Sequence, residues 1–126
     1  MTVRRAVPDI ASRDLERSRS FYTLLGFEEV MRLDGVLGLA SPDNPTAQVL
    51  LMDAGVPEAV RPDMSVEVED VDAVHAAVVS SGAEIVYALR DEPWGVRRFF
   101  TRDPDGTVVN VLTHRPTPPA PGAPEG

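Results

Sequence analysis

Asp14-Leu15-Glu16-Arg17-Ser18-Arg19-Ser20-Phe21-Tyr22-Thr23-Leu24-Leu25-Gly26 and Asp70-Val71-Asp72-Ala73-Val74-His75-Ala76-Ala77-Val78-Val79-Ser80-Ser81-Gly82 stand 56 residues apart and read alike. Each opens on an aspartate able to cap free N–H groups at a helix start. Each closes on a glycine that tolerates the left-handed conformation after a last turn. Between them, Leu15, Ser18, Phe21, Tyr22 and Leu25 make one stripe at three-to-four spacing, and Val71, Val74, Ala77 and Val78 make the other. The same offset sets Glu28 on Glu84 and Val30 on Val86. The chain therefore carries an internal repeat built around two amphipathic helices.

Strand patterns flank both helices. Val3 to Ile10 precedes the first, and Met64 to Val68 the second, with Ser65, Glu67 and Glu69 alternating against apolar neighbours. Three further strands follow in each half: 27–33, 36–40 and 47–52, then 84–89, 96–102 and 107–113. Asp103-Pro104-Asp105-Gly106 forms the tight turn of the last hairpin, with Pro fixing φ and Gly accepting a positive one. Each half reads β-α-β-β-β. The expected class is α+β: two βαβββ modules, about 2–53 and 63–115, forming a curved mixed sheet around a cavity with a pseudo-twofold repeat.

Composition narrows the function. The 126 residues carry 12 Lys and Arg against 20 Asp and Glu, a net charge of −8, and no cysteine. An acidic domain repels nucleic acid and anionic lipid, so neither is an expected partner. Disulfides, thiolate chemistry and zinc–sulfur sites are excluded. Neither a signal peptide nor a membrane-spanning helix is readable, and the expected location is the cytoplasm. Five of the 12 prolines fall within 116–126. That composition offers little to bury, so residues 1–115 are expected to form a single domain and 116–126 a disordered tail.

The stretches Asp14-Leu15-Glu16-Arg17-Ser18, Phe21-Tyr22 and Leu25-Gly26-Phe27, with Phe99-Phe100-Thr101-Arg102-Asp103-Pro104-Asp105-Gly106, resemble the vicinal oxygen chelate superfamily. That superfamily includes glyoxalase I, extradiol dioxygenases, fosfomycin-resistance enzymes and bleomycin-resistance proteins, and the resemblance covers roughly residues 2 to 115. It implies a divalent metal held by His, Gln or Glu on cavity-lining strands. The corresponding positions here are Val7, Asp63, Asn110 and the apolar run Val49 to Leu51. Valine cannot ligate, and an Asn carbonyl is a weak substitute for a carboxylate. His75 falls in the second helix and His114 just past the last strand, both as surface residues. An oxygen-only site that also used Asp9 would suit Mg²⁺ or Mn²⁺. The expectation is no metal and no cofactor.

The resemblance also orients the strands. With Asn110 inward, alternation turns Val108 and Leu112 inward and Val109 and Val111 toward the helix. The same pattern brings Arg98 and Phe100, Asp63, Ser65 and Glu67, and Val7 and Asp9 to the inner face. Trp94, the sole tryptophan, lies in Asp91-Glu92-Pro93-Trp94-Gly95-Val96-Arg97 between two strands. There it would either cap the sheet or stack on a planar ligand. Glu92 and Arg97 are expected to brace that loop, Arg98 to pair with Glu67 or Asp63 if its role is structural, and Phe21 and Tyr22 to be core. The candidate ligand-binding set is Asp9, Asp63, Ser65, Glu67, Trp94, Arg98, Phe100 and Asn110. A metal-free protein binding a small molecule, an antibiotic or a metabolite, is the first expectation. The alternative is a lyase, isomerase or dioxygenase-like enzyme using a weak metal or a carboxylate acid or base (Asp9, Asp63 or Glu67). Exposed module faces and a stiff connector, Asp53 to Pro62, lead to the expectation of a homodimer, with the halves either kept within one chain or exchanged.

Overall fold

A computed structural model describes residues 2–54 and 61–115. The elements are β1 (Val3–Ser12), α1 (Leu15–Leu24), β2 (Glu28–Leu33), β3 (Val36–Ala40), β4 (Gln48–Asp53), β5 (Met64–Val68), α2 (Val71–Ser81), β6 (Ile85–Asp91), β7 (Val96–Arg102) and β8 (Val108–His114). This is βαβββ twice. The expected tail and most of the connector lie outside the described residues. Among those residues, no helix is long and apolar enough to cross a membrane.

Both helices start as their aspartates dictate. Asp14 Oδ1 accepts from Arg17 N at 3.2 Å, and Asp70 Oδ1 accepts from Ala73 N at 3.1 Å. Gly82 closes α2 at φ 84°, and Gly26 follows α1 at φ 111°, a region where a side chain would be strained. The two helices differ in how deeply they sit. Val71 of α2 is buried, whereas α1 buries no residue completely. Phe21 and Leu25, expected in the core stripe, are exposed, and Leu24 is 84% exposed. The reason is geometric: α1 stops at Leu24, so Leu25 lies beyond its packed turns. Tyr22 does pack inward, its ring edge-on to Phe27.

The eight strands form one curved, open mixed sheet in the order β2-β3-β4-β1-β5-β8-β7-β6. β1 and β5 are antiparallel at its centre, with Pro8 paired to Met64 and Val7 to Ser65. The 56-residue offset carries Pro8 onto Met64, so the pseudo-twofold axis passes between these two residues. The flanking strands join in parallel on either side, Asp9 opposite Leu50 and Ser65 opposite Asn110. Each module keeps its own core on the helix side of the sheet. Leu37, Leu39, Val49 and Leu51 lie beneath α1, and Val68, Phe99 and Val111 lie beneath α2 with its own Val71 packed onto them. Burying each such large side chain contributes about 1.5–3 kcal/mol. His75 is half-buried, its ring 4.9 Å from that of Phe99 at the edge of the second core, rather than a fully exposed surface residue. With the helix side filled, the opposite face of the sheet is left to form a cavity.

Candidate functional site

That face encloses a cavity of about 350 Å³ reaching across both modules. β2, β3 and β4 supply apolar walls: Val30, Met31, Leu33, Val36, Leu50 and Met52. Gly38 belongs here because β3 runs close under Met31; a Cβ at this position would lie 3.1 Å from Met31 Cβ. The other wall is polar, with Ser65, Glu67, Trp94, Arg98, Asn110 and His114 from the second module and Arg5 and Asp9 from β1.

At the centre of the sheet, three side chains form a chain. Asn110 Nδ2 donates to Ser65 Oγ at 3.0 Å, and Ser65 Oγ donates to Asp9 Oδ2 at 2.7 Å. All three are buried, Asp9 at 8% exposure and Asn110 at 7%. The remaining oxygens, Asp9 Oδ1 and Asn110 Oδ1, have no hydrogen-bond partner. Burial pushes the Asp9 carboxyl up to about 6; the Ser65 hydrogen bond opposes this, the Asp63 charge adds to it and the Arg98 charge opposes it.

Glu67 is held differently. Its Oε1 accepts from Arg5 Nε at 2.6 Å, its Oε2 lies 3.1 Å from His114 Nδ1, and Arg5 also donates to Gln48 Oε1 at 2.7 Å. Burial opposes ionisation of Glu67, but His114 and Arg5 outweigh it and hold the carboxyl below its ordinary range. Arg98 pairs with neither Glu67 nor Asp63. Glu92 Oε2 accepts from its Nε at 2.8 Å and lies 2.7 Å from its Nη2. Glu92 also accepts from Tyr87 Oη at 2.8 Å and meets Arg90 at 3.0 Å. The guanidinium of Arg98 is caged by three rings, 5.2 Å from the Tyr87 centroid, 5.0 Å from Trp94 and 4.9 Å from Phe100.

Of the sequence-derived candidates, Asp9, Ser65, Glu67, Trp94, Arg98 and Asn110 meet at the cavity. Asp63 and Phe100 do not line it. Asp63 lies just before β5, exposed, and its Oδ2 accepts from Val108 N at 2.9 Å, tying the end of β5 to β8. Phe100 is buried beneath Arg98, stacked on Tyr87 at 4.7 Å. The Glu92–Arg97 brace is absent: Arg97 is bound by Asp72 at 2.9 Å and Asp91 at 3.3 Å. Sequence reasoning missed Arg5, His114 and the role of Glu92. Arg5 shares the parity of Val7 and Asp9 and could have been found by alternation; His114 needed the extra residue that β8 gains beyond the expected strand.

Two βαβββ modules joined edge to edge, each with its helix on one face and a shared cavity on the other, define a paired-module α+β protein. The chain belongs to the Glyoxalase/Bleomycin resistance protein/Dioxygenase superfamily, whose family profile matches residues 4–111. No curated protein matches the chain. Solved structures share its fold. A glyoxalase/bleomycin resistance protein/dioxygenase superfamily member from Vibrio splendidus is 23% identical, with a TM-score of 0.67 over 89% of this chain and 99% of that one. Methylmalonyl-CoA epimerase from Mycobacterium tuberculosis is 24% identical, with a TM-score of 0.68 over 87% of each chain. A variant methylmalonyl-CoA epimerase of Streptomyces coelicolor, in complex with 2-nitronate-propionyl-CoA, is 21% identical, with a TM-score of 0.69 over 94% of this chain and 100% of that one.

The residues at the superfamily's ligand positions do not fit a divalent metal. Val7 offers only methyl groups to the cavity, the Asp63 carboxylate is engaged by a backbone N–H, and Asn110 supplies a neutral amide. Among the described residues, no three His, Asp or Glu side chains gather at ligating distance.

Proposed function

We propose that this chain is a small-molecule-binding protein of the glyoxalase/bleomycin-resistance type that holds an antibiotic or metabolite without a metal. The observation that carries the reading is the cavity itself: about 350 Å³, walled by apolar side chains, with two unpartnered acceptor oxygens at its buried centre. A pocket of this size with few convergent polar groups is suited to an organic ligand. Trp94 is 53% exposed at the cavity and in contact with Arg98, so an entering ligand changes its surroundings. A library spanning anions, neutral molecules and cations, followed by Trp94 fluorescence and melting temperature, tests the reading. Ligands that move both support it, and a library with no effect on either removes it.

A second reading, a carboxylate acid–base enzyme, is favoured by one observation. Asp9 is buried at the cavity and titrates near 6, where a carboxyl can both take and give a proton. Asp63 does not reach the cavity, and Glu67 is held ionised by Arg5 and His114, so Asp9 is the group on which this reading rests. For this reading the methylmalonyl-CoA epimerases among the structural neighbours suggest, by analogy, a proton transfer at carbon. Turnover of a bound ligand that Asp9→Asn abolishes without loss of binding would make it the leading reading. Cytoplasmic residence and a homodimer complete the proposal, the dimer resting on the exposed Phe21, Leu24 and Leu25 of the α1 surface.

A further inference from the structure

Most charged groups at this cavity are already matched. Glu67 answers Arg5 and His114, and Glu92 answers Arg98. Asp9 has no ion pair among the described residues; its Oδ2 is taken by Ser65 and its Oδ1 by nothing. Across the short Ser65 link, Asn110 Oδ1 is equally unpartnered. Leaving a buried acceptor without a donor costs about 1–3 kcal/mol. Two such atoms, both on side chains more than nine-tenths buried that line one cavity, are a cost that a ligand bringing hydrogen-bond donors against those side chains would remove. The far wall, from Val30 to Met52, offers no comparable polar demand.

Resting on the binding reading above, we infer that the cavity selects a largely apolar molecule carrying one primary ammonium head, seated with its N–H groups on Asp9 Oδ1 and Asn110 Oδ1. A carboxylate head would meet two acceptors and an aspartate there. A hydroxyl has one proton and satisfies one oxygen. An ammonium has three, and its charge balances the one unpaired carboxylate.

The direction of the Ser65 link makes the selection depend on pH. With Asp9 ionised, Asn110 donates to Ser65 and Ser65 to Asp9, leaving two buried acceptors for the ligand to satisfy. With Asp9 protonated, its O–H donates to Ser65, Ser65 donates to the Asn110 carbonyl, and the amide turns its NH₂ toward the cavity. The site then repels an ammonium. The groups acting on Asp9 are Ser65 and Asp63 across the β1–β5 pair and Arg98 from β7; β4 presents apolar Leu50 opposite it, and Glu67, Arg5 and His114 are tied to one another.

The test uses the full chain and three probes sharing one ring: benzylamine, benzyl alcohol and benzoate. Binding is followed by NMR at the Asn110 side-chain NH₂ and the Trp94 indole. Benzylamine is expected to bind most tightly at pH 7.5 and about tenfold more weakly at pH 5, as a carboxyl titrating near 6 requires. Asp9→Asn should weaken it by at least about tenfold and abolish the pH dependence, with a smaller loss for benzyl alcohol, which carries no charge for Asp9 to balance. The pH profile of the unaltered chain gives the same answer should that variant fail to fold. Benzoate binding more tightly than benzylamine, or benzylamine binding equally at both pH values, overturns the inference and leaves the binding-protein reading standing. If none of the three probes moves either signal, the inference falls; the reading falls with it only if the broad library also fails.

Discussion

The two modules share one backbone plan and diverge where they face each other. On the helix side they match: a cluster of four buried apolar residues under α1, one of four at α2 that includes its own Val71, and an aspartate cap at each helix start. On the cavity side the first module lines its wall with Val30, Met31, Leu33 and Leu50, and the second with Ser65, Glu67, Arg98 and Asn110. Leu50 and Asn110 hold corresponding places, one beside Asp9 and the other beside Ser65. The repeat thus preserves what folds each half and lets the inner face vary. An asymmetric cavity inside a symmetric scaffold takes a ligand with unlike ends.

The sharpest way to break this comparison is to strike the two cores. Phe99→Ala beneath α2 should cost about 3–5 kcal/mol in urea unfolding, and Leu51→Ala beneath α1 about 2–5 kcal/mol. A single cooperative transition in both variants supports two cores in one folding unit; a separate early transition in only one would show the modules unfolding independently.

Next in size is a pair of opposed pH effects. The Asp9 carboxyl is raised on folding from 3.8 to about 6, so the folded state binds its proton more tightly. Its stabilising contribution is fully present below pH 3.8 and is lost as pH rises through 6, by about 3 kcal/mol at most. Asp9→Asn should therefore gain stability relative to the unaltered chain between about pH 4 and pH 7. Glu67, held below its ordinary range, has the opposite sign: its contribution is present above pH 4.5 and lost as pH falls. Stability curves of Asp9→Asn and Glu67→Gln that bend the same way would contradict the assignment.

Smaller again are the caps. Asp14→Ala and Asp70→Ala should each cost about 1 kcal/mol, since each frees one N–H at a helix start. Equal losses measured by thermal unfolding would sharpen the equivalence of the helices; a negligible loss at Asp14 alone would reflect the shallow seat of α1. The smallest effect on the chain's own stability, within about 0.5 kcal/mol, is expected from Leu24→Lys on the surface of α1. Light scattering should then find a monomer where the unaltered chain gives twice its mass, and an unchanged mass would remove α1 from the proposed dimer contact.

What could be read in advance follows the same divide. Helix caps, apolar stripes and strand alternation are local, so Asp14, Asp70, Gly82 and the strand order β-α-β-β-β were legible in the residues alone. Alternation, once the superfamily resemblance had oriented the strands, put Asp9, Ser65, Arg98 and Asn110 on one face. It fell short at strand ends, where a residue can turn away from the sheet or the strand can run further than expected. Asp63, one residue before β5, turns to the Val108 amide, and His114, the last residue of β8, reaches Glu67 on β5. Partner choice among charges was not legible either. Asp63, just before β5, and Glu67, within it, lie across β8 from Arg98 on β7, and the β6–β7 hairpin brings Glu92 to it together with the ring of Tyr87.

The pairing of Pro8 with Met64 at the axis makes the molecule divisible. Asp9 N donates to Asp63 O at 3.0 Å, so the neighbouring Pro8–Met64 pair exchanges no backbone hydrogen bonds; the proline costs the junction no donor, and the line where the halves meet is held by the pairs to either side. A chain opened between residues 54 and 61 would leave two fragments, each with a helix, four strands and a core, and each with one bare β edge seeking the other. Co-produced, they are expected to reassemble as a split protein, with Trp94 fluorescence reporting the reunion. Neither fragment alone would enclose a ligand, because one carries the oily pole and the other most of the polar one.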